Sequence, residues 1–290
     1  MATILITGAS RGIGAHLARQ LHLAGHHVFA GMRRPSDRHA LTDLVGQERF
    51  RVVQLDVGQG DDVDRAVDLA LYETGGIDAL INNAGVAWLS PLELQSEAVL
   101  RDTMETNFFG ALRVARAVLP AMRAQRSGRI INISSLAAFH GLPAEAAYCA
   151  SKSALDSASQ SLALEVERFG IFVTSIRPGY TRGGLASSDV ASDVSRETEY
   201  EPLLRHLEAL YAQSATAAES PDLVARAVFE VLDSDSPPPR IEIGELAAAV
   251  AVVRSGDPTE QLDSMRAANA MEWWRAGQER PRTSDEGGRQ

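Results

Sequence analysis

Lysine is almost absent from this sequence. Among 28 cationic residues there is one, Lys152, and the others are all arginine. Cysteine is as scarce: Cys149 stands alone, which excludes an internal disulfide and fits a reducing, cytoplasmic setting. An excess of positive charge is missing too, since the net charge is −10, and that leaves no broad basic face for a nucleic acid. No apolar run reaches the ~18 residues of a bilayer span. No basic region precedes the first apolar segment, as a signal peptide would require. The sequence therefore predicts neither a nucleic-acid nor a membrane partner, and it contains no internal repeat.

What is present has the composition of an ordinary soluble globule. A chain of 290 residues, 45% hydrophobic and 23% charged, suits one large α/β domain. The lone lysine closes the segment Tyr148-Cys149-Ala150-Ser151-Lys152, which begins thirteen residues after Ser135 of the pair Ser134-Ser135. Residues four apart on a helix share a face, with Cβ atoms roughly 6 Å apart. An ammonium beside a phenol favours the phenolate and lowers the tyrosine pKa. A phenol tuned this way can give a proton to a carbonyl oxygen or take one from an alcohol, and a nearby serine hydroxyl can orient that oxygen. Arginine, planar and bulkier, is a poor substitute for the compact charge of lysine. The plain alternative is a helix with a surface lysine and a half-buried tyrosine.

The chain read in order supplies the setting. Residues 2–7 form an apolar, β-rich run that enters Thr7-Gly8-Ala9-Ser10-Arg11-Gly12-Ile13-Gly14 and then a helical pattern ending at Gly25. Strand, glycine turn and helix make a phosphate site, with glycines for close approach and helix amides for the anion. His27–Met32 is the second strand; an NAD site would carry an acid at its end, and here the chain continues as Met32-Arg33-Arg34. Arg33 and Arg11 could instead pair with a 2′-phosphate. Phe50–Leu55 is the third strand, with Asp56 at its end, followed by a helix over 59–74. Strand Ala79–Ile81 runs into Asn82-Asn83-Ala84-Gly85. A long helix over about 97–125 carries Asn107, either a satisfied core amide or a group that holds a water or carbonyl near the site. Arg129–Ile133 is the fifth strand and ends at the serine pair. The helix bearing Tyr148 runs to about Arg168, and strand Ile171–Ile176 is closed by Arg177-Pro178-Gly179. Ile241–Ile243 reads as a last strand and Trp273-Trp274 as part of a helix. Alternating strands and helices predict a single-domain doubly wound parallel sheet, α/β and Rossmann-type, with helices on both faces. Its domain is expected over residues 1–278, with 180–218 as a lid over the substrate and 279–290 as a disordered tail.

These residues resemble the short-chain dehydrogenases/reductases. Thr7-Gly8-x-x-x-Gly12-x-Gly14, Asn82-Asn83-Ala84-Gly85, Asn107, Ser135, Tyr148-x-x-x-Lys152 and Pro178-Gly179 match that family's motifs in order and spacing, strongly over residues 2–180 and loosely over 181–245. The resemblance implies that Tyr148 is the general acid/base, that Lys152 lowers its pKa and holds the nicotinamide ribose, that Ser135 polarises the substrate carbonyl, and that Asn107 supports a proton-relay water. It also implies cofactor contacts at Gly8, Ser10, Arg11, Gly12, Ile13, Gly14, Arg33, Asp56 and Val57, then at Asn83, Ala84, Gly85, Pro178, Gly179 and Thr181, with Asp56 at the adenine and Asn83 on the adenosine side. Arg11 and Arg33 look like the NADP-preferring branch. The family commonly places a Thr after Pro-Gly at what is here Gly183, so Thr181 comes slightly early. Gly141-Leu142-Pro143 is most similar to the branch acting on hydroxysteroids and retinoids.

The resemblance thus implies an NADP(H)-dependent carbonyl reductase or alcohol dehydrogenase acting on a small-molecule ketone or alcohol that is bulky and apolar, assembled as a homodimer or homotetramer, with no metal. A catalytically silent NADP-binding sensor on the same fold is the alternative from another class. The intact Ser135-Tyr148-Lys152 set speaks against it. A sugar-nucleotide epimerase or dehydratase usually carries a larger substrate domain than the residues after Gly179 allow.

Overall fold

The first strand shows how the sheet is made. β1 is Thr3–Ile6, every residue buried, with Ile4 and Ile6 packed into one layer and Leu5 into the other. A strand covered on both faces has no polar side, so its sequence reads as a continuous apolar run. The same division recurs in β2 (His27–Met32), where Val28 and Ala30 face the first layer and Phe29 the second. The computed structural model describes residues 1–139, 141–184 and 199–244. Within them β3 (Phe50–Gln54), β4 (Ala79–Asn82), β5 (Gly128–Ile133), β6 (Ile171–Pro178) and β7 (Arg240–Ile243) complete one parallel sheet of seven strands, ordered β3-β2-β1-β4-β5-β6-β7. The order reverses between β1 and β4, where Ile4 pairs with Ala79 and Ile6 with Ile81. A crevice at such a reversal, beyond the carboxyl ends of the strands, is where this architecture binds ligands.

Helices cover both faces. α1 (Gly12–Leu23) brings Leu17 and Leu21 against Ile4 and Ile6, and the helix Asp222–Asp233 later in the chain adds Val224 and Val228 to the same layer. On the other face α2 (Gly60–Thr74) and α4 (Ala111–Gln125) pack Val63, Val67, Val114 and Val118 against Leu5, Phe29, Leu80 and Ile130. Each such side chain withdrawn from water contributes about 1.5–3 kcal/mol, which makes these layers the main support of the sheet edge above them.

The helix expected over 97–125 is interrupted. α3 (Glu97–Met104) and α4 are joined by a π-helical turn, Glu105–Gly110, with Asn107 inside it. The cause is local. Asn107 is pulled toward residue 86, where its Oδ1 accepts from Val86 N at 2.8 Å and its Nδ2 donates to Val86 O at 2.9 Å. Gly110 at the far end lies against Val57, whose Cγ2 would stand 2.6 Å from any Cβ added there. α5 (Ala146–Val166) follows β5, shorter than expected and finished by a 3₁₀ turn at Glu167–Phe169. β6 is longer than expected and includes Pro178.

Of the expected lid, residues 180–184 and 199–218 are described. They contain α6 (Glu201–Thr216), whose Leu203, Leu204 and Leu207 form a separate apolar cluster with Leu89 and Ala144. The helix Asp222–Asp233 is α7. Residues 185–198 lie outside the described residues, as do the expected Trp273-Trp274 helix and the tail 279–290. No helix among the described residues is long and apolar enough to cross a membrane.

Candidate active site

The turn between β1 and α1 is built so that only glycine fits. Gly8 and Gly12 have φ of +68° and +57°, in the left-handed region. A Cβ on Gly14 would stand 2.3 Å from Gly8 O and 2.4 Å from Asn83 Nδ2. The turn is held from β4: Thr7 Oγ1 accepts from the main-chain N–H of both Asn83 and Ala84 at 3.0 Å. Asn83 Nδ2 donates to Thr7 O at 3.1 Å and Gly8 O at 3.0 Å. α1 begins at Gly12 with extended Arg11 as its cap, and no side chain caps it. Its first-turn amides are therefore available to an anion, reinforced by the helix dipole. The residues present fit a dinucleotide diphosphate. The sequence reading that Asn83 meets the adenosine changes in one respect: its side-chain amide is engaged by the glycine turn.

Three other strand ends border this turn. At β2, Met32 is 1% exposed and packs in the core, while Arg33 beyond it is exposed, as is Arg11. After β3, Asp56 Oδ1 accepts from Gly58 N at 3.0 Å, and Val57 is buried with its carbonyl taken by Arg113. After β6, Gly179 N donates to Ile243 O at 3.0 Å. Thr181 is buried, its hydroxyl donating to Gly179 O at 3.3 Å and its main chain bridged to Glu219. Gly183, rather than Thr181, reaches the glycine turn: a Cβ on Gly12 would fall 2.0 Å from Gly183 O.

The hydroxyl pair sits where β5 ends. Ser135 opens a 3₁₀ turn at Leu136–Ala138, with its Oγ accepting from Ala137 N at 3.1 Å, and it shares a hydrogen bond with the Tyr148 hydroxyl. Ser134 beside it is buried. One turn below Tyr148 on α5, Lys152 is 3% exposed; its Nζ donates to Ile133 O at 2.9 Å and lies 5.8 Å from the Tyr148 ring centre. Burial dominates both groups. It pushes Lys152 down to about 8, against the pull of Asp156. It pushes the Tyr148 phenol above its ordinary value, helped by the charges of Glu145 and Cys149 and opposed by the Ser135 hydrogen bond. The expected lowering of Tyr148 by Lys152 is thus overruled here, because withdrawing water penalises the phenolate more than the hydrogen bond favours it.

A second turn of α5 supports the first. Asp156, buried four residues after Lys152, accepts from Ser175 Oγ at 2.8 Å and pairs with the buried Arg177. Ser151 Oγ donates to Tyr148 O at 2.7 Å and accepts from Asn107 Nδ2 at 3.0 Å. Asn107, 1% exposed, therefore has both ends of its amide engaged.

Residues 2–193 match the family described as short chain dehydrogenase. The chain belongs to that family. It is 37% identical over 245 residues to a 3-ketodihydrosphingosine reductase of Bacteroides thetaiotaomicron, covering 84% of this chain and 88% of the relative. It is 31% identical over 274 residues to retinol dehydrogenase 8 of Bos taurus, covering 90% and 87%. A solved short chain dehydrogenase of Burkholderia cenocepacia J2315 in complex with NADP superposes with a TM-score of 0.71 at 25% identity, covering 92% of this chain and 96% of that one.

For a short chain dehydrogenase, the sheet gathers Gly8–Gly14, Asp56, Asn83, Ser135 and Gly179 at one edge, as their places at strand ends foretold. Sequence reasoning gave no role to Ser151 or Asp156, and it named Thr7 only as the first residue of the glycine motif. Asp156 carried a signal: it follows Lys152 at the same four-residue spacing by which Lys152 follows Tyr148. Ser151 carried none, since its role depends on which groups the fold brings near.

Proposed function

We propose that the chain is an NADPH-dependent carbonyl reductase, reversible as an alcohol dehydrogenase, acting on a bulky apolar ketone or secondary alcohol. One observation supports this above the others: the Ser135 and Tyr148 hydroxyls are hydrogen-bonded to each other over a buried Lys152, at the same sheet edge as the glycine turn. A silent nucleotide sensor has no use for that set.

In this reading Gly8, Ser10, Gly12, Ile13 and Gly14 hold the diphosphate, Arg11 and Arg33 the 2′-phosphate, and Asp56 and Val57 the adenine. Ala84, Gly85, Pro178, Gly179 and Thr181 line the path to the nicotinamide, and Lys152 meets its ribose. When bound, the reduced nicotinamide supplies a hydride. Ser135 donates a hydrogen bond to the substrate carbonyl oxygen and so polarises the carbon that is attacked. Tyr148 gives its phenolic proton to the same oxygen as negative charge grows there. Burial keeps that proton on the phenol at neutral pH, the form that can give it to the carbonyl oxygen. Asn107 and the π turn support proton resupply. The apolar cluster of α6 supports a bulky substrate, as does the likeness to proteins named for a ketodihydrosphingosine and for retinol.

Purified protein mixed with NADPH and a panel of aliphatic, cyclic and steroid-like ketones should oxidise the cofactor, followed by nicotinamide absorbance. Binding of NADPH with no oxidation above background by any ketone would overturn the reading in favour of the sensor.

A further inference from the structure

The reduction needs two hydroxyls at one oxygen, and they come from different elements. Ser135 opens the 3₁₀ turn after β5, while Tyr148 stands with Lys152 on α5. How far apart the hydroxyls lie depends on how that turn sits against that helix. Ser153 ties them directly, its Oγ donating to Ala138 O at 3.0 Å. Arg177, on β6, ties them from a third element.

Arg177 is 3% exposed. Its Nε donates to Asp156 Oδ2 on α5, one turn beyond Lys152, and its guanidinium lies over the Phe139 ring, 4.4 Å from the centroid. Phe139 is buried and ends the turn that Ser135 opens. Asp156 is held in its turn by Ser175 Oγ at 2.8 Å, also from β6. One flat cation thus touches the Ser135 turn with its face and the Lys152 helix with its edge. A guanidinium can do both at once, and a compact ammonium has no such plane.

This burial is not explained by stability. Arg177 Nη1 has no hydrogen bond, and Glu242 Oε1 on β7 stands 3.5 Å from it. Replacing a buried ion pair by apolar side chains of similar volume is often neutral or stabilising.

We propose that Arg177 is a positioning residue: it holds the Ser135 turn against α5, through Phe139 and Asp156, so that the Ser135 and Tyr148 hydroxyls address the same substrate oxygen. This rests on the carbonyl-reductase reading above and adds a determinant of its rate.

The test replaces the pair by apolar side chains, Asp156→Leu with Arg177→Met, which leaves the net charge unchanged. With a ketone that the parent reduces and saturating NADPH, kcat should fall about tenfold or more, since a misplacement of ~1 Å can cost ~10²-fold. The melting temperature should hold or rise. The NADPH dissociation constant should stay close to the parent value, because the glycine turn is untouched. A lower melting temperature with kcat per folded molecule unchanged means a structural role alone and overturns the proposal. Made in Ser135→Ala, the same double change should have little effect on kcat, because alignment with an absent hydroxyl is worth nothing. An equal loss in that background would come through Lys152, which the charge of Asp156 also reaches, and overturns it too. Should the double variant not fold, Phe139→Leu, which keeps the ion pair and removes the ring, goes through the same comparison with the same outcomes. If the parent reduces no ketone, the carbonyl-reductase reading fails by itself, and amide exchange decides the role of Arg177. The amides of Ala137 and Ala138, which donate to Ser135 Oγ and O, should exchange about tenfold faster in the variant while those of the glycine turn do not change. Unchanged exchange at Ala137 and Ala138 overturns the proposal.

Discussion

At the scale of single residues, burial works on Tyr148 and Lys152 in ways that suit their proposed tasks. The phenol keeps its proton, while the ammonium, at about 8, remains mostly charged at neutral pH. Removing the phenolic proton donor should cost ~10²–10⁴-fold in turnover. Tyr148→Phe is therefore expected to lose at least ~10²-fold in kcat with NADPH binding retained, and turnover within threefold of the parent would remove Tyr148 from the acid/base role. Glu145 makes a separate prediction about stability. Its folded pKa of about 7 lies above the ordinary 4.5, so the folded protein holds this proton more tightly than the unfolded chain does. Stability falls as pH rises from about 4.5 to 7, and above 7 the whole penalty, at most a few kcal/mol, is present. Glu145→Gln should hence melt higher than the parent near pH 8 and alike near pH 4, where both states are protonated. A lower melting point near pH 8 would mean that the carboxylate is satisfied in the fold. Tyr148, Cys149 and Tyr180, which face it, are raised and stay protonated across this range. Arg33 is the third case. With Met32 turned into the core, no carboxylate at the end of β2 offers itself to a ribose hydroxyl, and an exposed arginine follows. NADPH should bind at least tenfold better than NADH, ~1.4 kcal/mol, and Arg33→Ala should remove much of that gap by weakening NADPH alone. Equal dissociation constants in the parent would sink the preference. Met32→Asp is a poor switch here, because it would first bury a carboxylate among Ile4, Ala30 and their neighbours.

Elements differ in how openly the sequence declares them. β1, its glycine turn and α1 were legible because each residue there answers a local demand: apolar on both faces, positive φ, and space where a Cβ cannot go. Gly14→Ala should accordingly destabilise the protein by ~1–3 kcal/mol, since its methyl would meet Gly8 O at 2.3 Å, and weaken cofactor binding with it. Unchanged melting temperature and unchanged NADPH affinity would show that the turn has slack the geometry denies. The π turn at Glu105–Gly110 was not legible. Helical periodicity over 97–125 is satisfied by α3 and α4 taken separately, and the reason for the extra residue, the grip of Asn107 on Val86, lies twenty-one positions away. Likewise the Lys152 pKa could not be read from spacing alone. The four-residue interval puts the ammonium beneath the ring, but the packing that drains water from both groups, and the Ile133 carbonyl that accepts the lysine's hydrogen bond, come from the folded layers. Spacing along one helix was visible; what stands opposite it was not.

On the scale of the whole molecule, the seven-stranded order brings the strand ends that carry the glycine turn, Asp56, Asn83, Ser135 and Gly179 to one edge and leaves the flanks of the helix layers for other uses. Two apolar side chains stand out on the layer formed by α4 and α5. Leu164 on α5 is 80% exposed, and Phe109, at the end of the π turn that leads into α4, is 49% exposed. Phe109 also meets the Phe108 ring, with centroids 5.0 Å apart and the planes tilted by 57°. Neither contributes to the core of its own chain as Val114, Val118 and Val166 do, and burying a leucine or phenylalanine from this degree of exposure gains about 1.5–3 kcal/mol. A second copy of the chain, related by a two-fold axis across this layer, would cover such side chains on both protomers, because a symmetric interface presents the same patch twice. The protein is therefore expected to form a homodimer, or a homotetramer built from it, at micromolar concentration. Light scattering should give a mass of two or four chains, and Leu164→Arg should lower that mass toward a single chain while NADPH affinity holds, since the glycine turn lies at the sheet edge and not on this flank. A single-chain mass for the unmutated protein under the same conditions would end the idea. A mass unaffected by Leu164→Arg would move the interface to another face.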